Sequence, residues 1–197
     1  MPDPSESGTA FPTRINVVGV SGSGKSIFAK RLSELAGIPL VEMDAVFWKP
    51  DWEMPSDEEF FGKLSTAIAG DEWILDGNYS RTTPIKWSRV QLVIWIDYSF
   101  PRTLWQSVRR TWRRARSKEE LWPGTGNRES LRNSFFRKES VIWWSITSRA
   151  RARRRYFAAM RDPKCSHIEF VRLTSRAGAD RYLTELGCRS KRREAVD

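Results

Sequence analysis

Four short, mostly apolar runs stand out along the chain, Ile15 to Val20, Ile38 to Met43, Glu72 to Leu75 and Val90 to Ile96, and a fifth, more mixed strand is read at His167 to Thr174. Runs of this length without polar alternation predict strands of a parallel sheet, buried on both faces. Between them the apolar spacing changes to a helical one. Ile27, Phe28, Leu32 and Leu35 predict a helix over 25–35 with Gly37 as its stop, and Ser56 with Glu59 predicts a capped helix over 57–69. Pro101 opens another, in which Trp105, Val108, Trp112 and Ala115 recur along one face and are expected to be buried. The stretch 128–160 is mostly helix-compatible, with Trp143 and Trp144 read as packing residues, and 176–186 predicts a last helix stopped by Gly187. Residues 1–13 carry Pro, Ser and Gly without periodicity and read as a disordered leader; 188–197 read as a basic tail. Strands alternating with helices over 14–187 predict one α/β domain, joined by right-handed crossovers.

The first strand and first helix are joined by Gly19-Val20-Ser21-Gly22-Ser23-Gly24-Lys25-Ser26, which fits G-x-x-x-x-G-K-[ST]. A plain turn would ask for glycine but for neither the lysine nor the serine. The pattern suits a phosphate, because successive backbone N–H groups can turn inward at a helix start where side chains would obstruct the approach. Gly19, Ser21, Gly22, Ser23, Gly24, Lys25 and Ser26 are therefore the expected ATP-binding residues. Lys25 would reach the β- and γ-phosphates, and the Ser26 hydroxyl would be a ligand of Mg²⁺. A second metal-site carboxylate is expected at the end of a hydrophobic strand. Asp76 is preferred because Gly77-Asn78-Tyr79 after it allows a sharp turn, with Asp97, which also ends a strand, as the alternative.

Charge divides the chain. Residues 1–100 hold 9 Lys/Arg against 14 Asp/Glu, and 101–197 hold 25 against 10, so the net +10 is −5 in one half and +15 in the other. Such a basic half suggests that a polyanion is met there, either a nucleotide or a nucleic acid. The two cysteines, Cys165 and Cys188, have no metal or redox spacing and read as reduced, incidental thiols; the single His167 reads as a strand-edge residue. No apolar run approaches a membrane span and no secretory signal is visible, which predicts a cytoplasmic protein.

The loop, the segment Leu75-Asp76-Gly77-x-x-x-Arg81-Thr82 and the arginine-rich stretch around Leu121–Asn127 resemble the adenylate-kinase-like nucleotide kinases. Met43-Asp44-Ala45-Val46-Phe47-Trp48-Lys49-Pro50 and Trp73-Ile74-Leu75-Asp76-Gly77-Asn78-Tyr79 resemble, more closely, the members of that family labelled DNA topology modulation proteins. The resemblance implies a three-layer P-loop fold with strand order 2-3-1-4-5, an acceptor region over 45–70 and a basic helical lid over 109–155. On that basis Arg110, Arg114 and Arg128 are expected to close over the ATP phosphates. Asp44, Trp48 and Arg81 are expected to face the acceptor, with Asp44 also receiving or holding a hydroxyl proton. Adenylate kinases have Phe-Pro where Asn78-Tyr79-Ser80 stands here, one residue longer, so the acceptor pocket is expected to differ.

Two function classes follow. One is a kinase moving the γ-phosphoryl group of Mg-ATP to a small acceptor, whether nucleotide, nucleoside or hydroxylated metabolite. The other is an ATP-binding regulatory protein that grips nucleic acid through its basic half. The kinase accounts for Asp44 and Arg81 as well as for the arginines; the second accounts for the positive charge alone.

Overall fold

The computed structural model describes residues 11–117, 120, 122, 125–127 and 141–194. Its centre is a parallel sheet of β1 (Arg14–Gly19), β2 (Leu40–Glu42), β3 (Trp73–Asp76), β4 (Leu92–Ile96) and β5 (Glu169–Leu173), in the order β2-β3-β1-β4-β5. This is the α/β P-loop architecture expected from the sequence. The loop thus leaves the central strand, flanked by the carboxyl ends of β3 and β4, and ligands of open parallel sheets bind at that edge.

Alternating strand residues feed two cores. Ile15, Val17, Ile74, Leu92, Ile94 and Ile96 pack under α1 (Lys25–Ala36) together with Ala179, Leu183 and Leu186 of the last helix. Val18, Trp73, Leu75, Val93 and Trp95 pack on the other face, against α2 (Met43–Phe47), α3 (Asp57–Ala67), α4 (Thr83–Trp87) and Tyr156. Tyr156 belongs to α6 (Val141–Ala159), which follows α5 (Phe100–Ser117), and α7 (Arg176–Glu194) closes the fold. The cap foreseen for α3 is present, with Ser56 Oγ accepting from Glu59 N–H at 3.1 Å.

Several boundaries move for identifiable reasons. β2 begins after Pro39, which has no N–H to give to a ladder, and ends when Met43 turns into α2, so Asp44 lies in the first turn of a short helix. β3 keeps Asp76 within the strand, where it registers with Val17. Val90 donates to Lys86 O at 3.2 Å, which ties it to the preceding turn and leaves β4 to start at Leu92. His167 precedes β5; its Nε2 lies 2.9 Å from Trp87 O.

Three larger expectations are overturned. Residues 11–13 are packed, with Phe11 in the first core and Thr13 bonded to Gln91 and Trp73; residues 1–10 lie outside the described residues. Gly187 does not stop the last helix, which runs on to Glu194 and absorbs most of the predicted tail. It lies where α7 passes Leu35 of α1, and a methyl group there would meet Leu35 at 3.8 Å. Finally, α5 does not bury its tryptophans. Trp105 and Trp112 are 60% and 59% exposed, while Thr103 and Ser107 are buried. Among the described residues no helix is long and apolar enough to cross a membrane.

Candidate functional site

The glycine loop is shaped by close packing as well as by its own sequence. Gly22 has φ +75°, and a Cβ on it would stand 2.6 Å from Thr103 O and 2.9 Å from Ser107 Cβ of α5. Only glycine satisfies both the left-handed backbone and that approach. The small Thr103 and Ser107 are buried because α5 rests on the loop along this side. The loop closes through Ser23 N–H to Val20 O at 3.0 Å, and Gly24 caps α1. The first-turn N–H groups of α1 have no helical acceptor and face the loop's opening.

Side chains of the right chemistry gather at this opening. Lys25 Nζ lies 3.6 Å from Asp76 Oδ1, and Asp76 is 6% exposed. Neither Asp76 Oδ1, Ser23 Oγ nor Ser107 Oγ has a hydrogen-bond partner although all three are buried. Buried polar atoms are almost always paired, so this cluster fits a phosphate with its cation. No group of three or more His, Cys, Asp or Glu among the described residues forms a protein-only metal site. Ser26 follows Lys25 in the first turn of α1 and is exposed. Arg110 of α5 donates from Nη2 to Ser21 Oγ at 2.6 Å, which places its guanidinium on the loop.

The alternative acid has a different setting. Asp97 Oδ2 accepts from Arg172 Nε at 2.9 Å and Nη2 at 2.6 Å, and Arg149 and Arg153 lie within 3.6 and 3.5 Å of the carboxylate. Arg172 thus holds it through two nitrogens, and two further guanidiniums stand beside it.

The turn after β3 is wired into the loop by residues whose roles the sequence did not reveal. Gly77 has φ +151°, and any side chain would strike Met43 at 2.7 Å. The Asn78 amide accepts from Gly19 N–H at 2.9 Å and donates to Gly19 O at 2.6 Å, joining the ends of β1 and β3; its Oδ1 also accepts from Tyr156 OH at 3.1 Å. Beneath the turn, the buried Lys86 donates to Asn78 O at 2.9 Å and Gly77 O at 3.4 Å. Burial, and then the nearby charge of Arg155, pull its pKa down to about 7. Lys86 sits in a five-residue helix, too short for a periodic signal; the asparagine after Asp-Gly offered the only cue.

On the acceptor side, Tyr79 OH donates to Asp44 Oδ1 at 2.7 Å. Burial, reinforced by the Asp44 charge, pushes the phenol's pKa up, which keeps it a donor. Arg81 is instead ion-paired with Asp57 at the exposed start of α3. Trp48 belongs to an edge-to-face aromatic series: Phe47–Trp48 at 4.9 Å, Trp48–Trp52 at 5.3 Å and Trp52–Trp122 at 5.8 Å. Asn127, 1% exposed, accepts from Trp52 N–H at 2.9 Å and donates to Lys49 O at 2.8 Å, pinning a turn in which Asp51 and Trp52 both have positive φ. Of the other expected lid residues, the side chain of Arg114 and the whole of Arg128 lie outside the described residues, as do the side chains of Trp143 and Trp144.

No protein family model matches the chain, and no curated protein matches it. Among solved structures it is similar to a gluconokinase from Sinorhizobium meliloti 1021, with 16% identity over 93% of this chain and 94% of that one and a TM-score of 0.49. It is similar to a sugar kinase from Janibacter sp. HTCC2649, with 18% identity, 88% and 94% coverage and a TM-score of 0.46. It is also similar to the shikimate kinase of Aquifex aeolicus, with 15% identity, 90% and 96% coverage and a TM-score of 0.49. None of these matches carries the DNA topology modulation label, and at these scores they assign this chain no substrate.

Proposed function

We propose that this chain is a phosphotransferase that moves the γ-phosphoryl group of Mg-ATP to the hydroxyl of a small acceptor. The observation that carries the reading is the meeting of Lys25 and Asp76 within 3.6 Å at a glycine-walled helix start, where the buried Asp76 Oδ1 faces the ammonium but accepts no hydrogen bond. The loop N–H groups bind the phosphates, and Lys25 and Arg110 set positive charge where the transferring group gathers negative charge. Ser26 and Asp76 would hold Mg²⁺, which when bound neutralises the β- and γ-phosphate oxygens. The acceptor oxygen attacks the γ-phosphorus, the bond from that phosphorus to the β,γ-bridging oxygen breaks, and the hydroxyl proton passes to Asp44. Tyr79 occupies Oδ1 of Asp44 and so presents Oδ2 to the acceptor. Trp48 supplies an apolar wall beside it.

The choice of an alcohol over a nucleotide acceptor rests on the contrast between Asp44 and Arg81. A phosphate oxygen is already a nucleophile at neutral pH and needs a cation more than a base. Arg81, the expected cation, pairs instead with Asp57 at the exposed start of α3, whereas Asp44 is held in place by Tyr79. A screen of nucleotides, nucleosides and hydroxylated metabolites for Mg-ATP-dependent phosphorylation tests this. The expected result is an alcohol product, with Asp44→Asn costing far more turnover than Arg81→Ala. Preference for a nucleoside monophosphate with the opposite order of the two variants would refute it.

A further inference from the structure

The side of α5 that faces away from the glycine loop has no role in the proposed reaction. At roughly 100° per residue, Thr103, Ser107 and Arg110 fall on one side of the helix. Trp105, Arg109, Trp112, Arg113 and Arg116 fall on the opposite side. All five are exposed, with Trp105 and Trp112 among the most exposed large apolar side chains described. Arg109 stacks its guanidinium on the Trp105 ring at 5.3 Å, and Arg109, Trp112, Arg113 and Arg116 line one surface depression. The helix carries six arginines and no acidic residue. Among the described residues, no carboxylate pairs with Arg109, Arg113 or Arg116, whereas Arg31, Arg81, Arg89 and Arg176 elsewhere on the surface each have one.

We propose that this stripe is a binding surface for single-stranded nucleic acid, with bases stacking on Trp105 and Trp112 and phosphates meeting Arg109, Arg113 and Arg116. The chemistry selects that occupant. Stacking platforms for single strands combine exposed aromatic rings with cations along a track, and every base offers a π-face. Seven residues separate the two indoles, roughly 10 Å along the helix, with a guanidinium between them. A membrane-binding face would ring its tryptophans with exposed aliphatic residues, whereas here the aliphatic neighbour at helical spacing, Val108, is half-buried and arginines fill the exposed positions. The surface is independent of the acceptor chosen above, since it lies on the far side of the helix from the loop.

The full-length protein, freed of co-purifying nucleic acid, is titrated into a labelled oligothymidylate of about 15 nucleotides and into a duplex of equal length, with anisotropy read at several salt concentrations. Single-strand binding that weakens with salt at a log–log slope of about −2 is expected from three phosphate contacts. Trp105→Ala and Trp112→Ala should each weaken it about tenfold, from the loss of one stacked base. Arg109→Ala should lower the slope by about 0.7, and none of the three should alter ATP-dependent phosphorylation. Absence of binding at low salt overturns the proposal. So does equal affinity of wild type and both tryptophan variants, or duplex binding as tight as single-strand binding, which would mean undirected charge. Self-association or anionic-vesicle binding that depends on both tryptophans, with oligonucleotide affinity unchanged by them, assigns the stripe to another partner and also overturns it.

Discussion

Asp76 and Asp97 end the two strands that flank β1, and from sequence they are nearly interchangeable: each closes a hydrophobic strand with a carboxylate at the ligand edge of the sheet. Their surroundings divide them. Asp76 has a single lysine, 3.6 Å from an Oδ1 that accepts no hydrogen bond, and it is followed by a turn held by amides and by a buried lysine. Asp97 is surrounded by three arginines, one of them bonding through two nitrogens. An acid that accepts no hydrogen bond from its cation keeps room for a ligand, and one gripped by a two-nitrogen arginine is a fastener. A strand-plus-acid signature therefore locates candidates, and only the partners assign them.

The largest effect should come from the β3 side. Lys25→Ala and Asp76→Asn are each expected to lower kcat by at least ~10³-fold, with unfolding midpoints near wild type, measured by steady-state turnover beside urea titration. The β4 side should give the mirror image. Asp97→Asn leaves three arginines facing a neutral amide and should cost on the order of 2 kcal/mol of stability, less than a fully buried pair because Arg153 and Arg172 are partly exposed, while turnover below the melting range changes only severalfold. Loss of turnover without loss of stability in Asp97→Asn would reverse the two assignments.

pH sharpens the contrast further. The folded pKa of Lys86 is about 7 against an unfolded value of 10.5, so between those limits the unfolded chain holds the extra proton. Stability should then rise with pH from about 7 towards 10. Lys86→Met should flatten that rise in urea midpoints taken across the range. The smallest expected effect is Arg172→Lys, which keeps the charge but loses the two-nitrogen bond and the stacking on Trp95 and Phe157, at about 1 kcal/mol.

Much of the fold was legible in the sequence. Continuous apolar runs announced the central strands β1, β3 and β4, which are covered on both faces and leave little room for polar positions, and the spacing of Phe28 and Leu32 announced the buried side of α1. The same reasoning failed for α5. Its tryptophans do recur at helical spacing, but apolarity does not decide which side packs when the neighbour is a glycine loop. Close approach to Gly22 selected the small Thr103 and Ser107, and the tryptophans were left outside. Gly187 misled in a similar way: glycine ends a helix when it turns left-handed, and here it continues the helix past α1. At the candidate site, Lys25, Asp76 and Arg110 were readable because each belongs to a motif or a cluster. Asn78 and Tyr79 act through long-range bonds and Lys86 through bonds to the nearby turn, none of which leaves a periodic trace, and Tyr79 acquires its part only when the fold brings it to Asp44, 35 residues away.

The aromatic series from Trp48 through Trp52 to Trp122 has an optical meaning. Indoles with centroids 5.3 and 5.8 Å apart couple their electronic transitions, and that coupling shapes the near-ultraviolet circular dichroism and quenches emission. Trp122 comes from one segment of the chain and the other two rings from a segment some seventy residues earlier, so the signal reads the distance between those segments. The protein thus carries an intrinsic, label-free gauge of whether its 48–52 turn and its 122–127 stretch are together, readable in milliseconds in a stopped-flow cell.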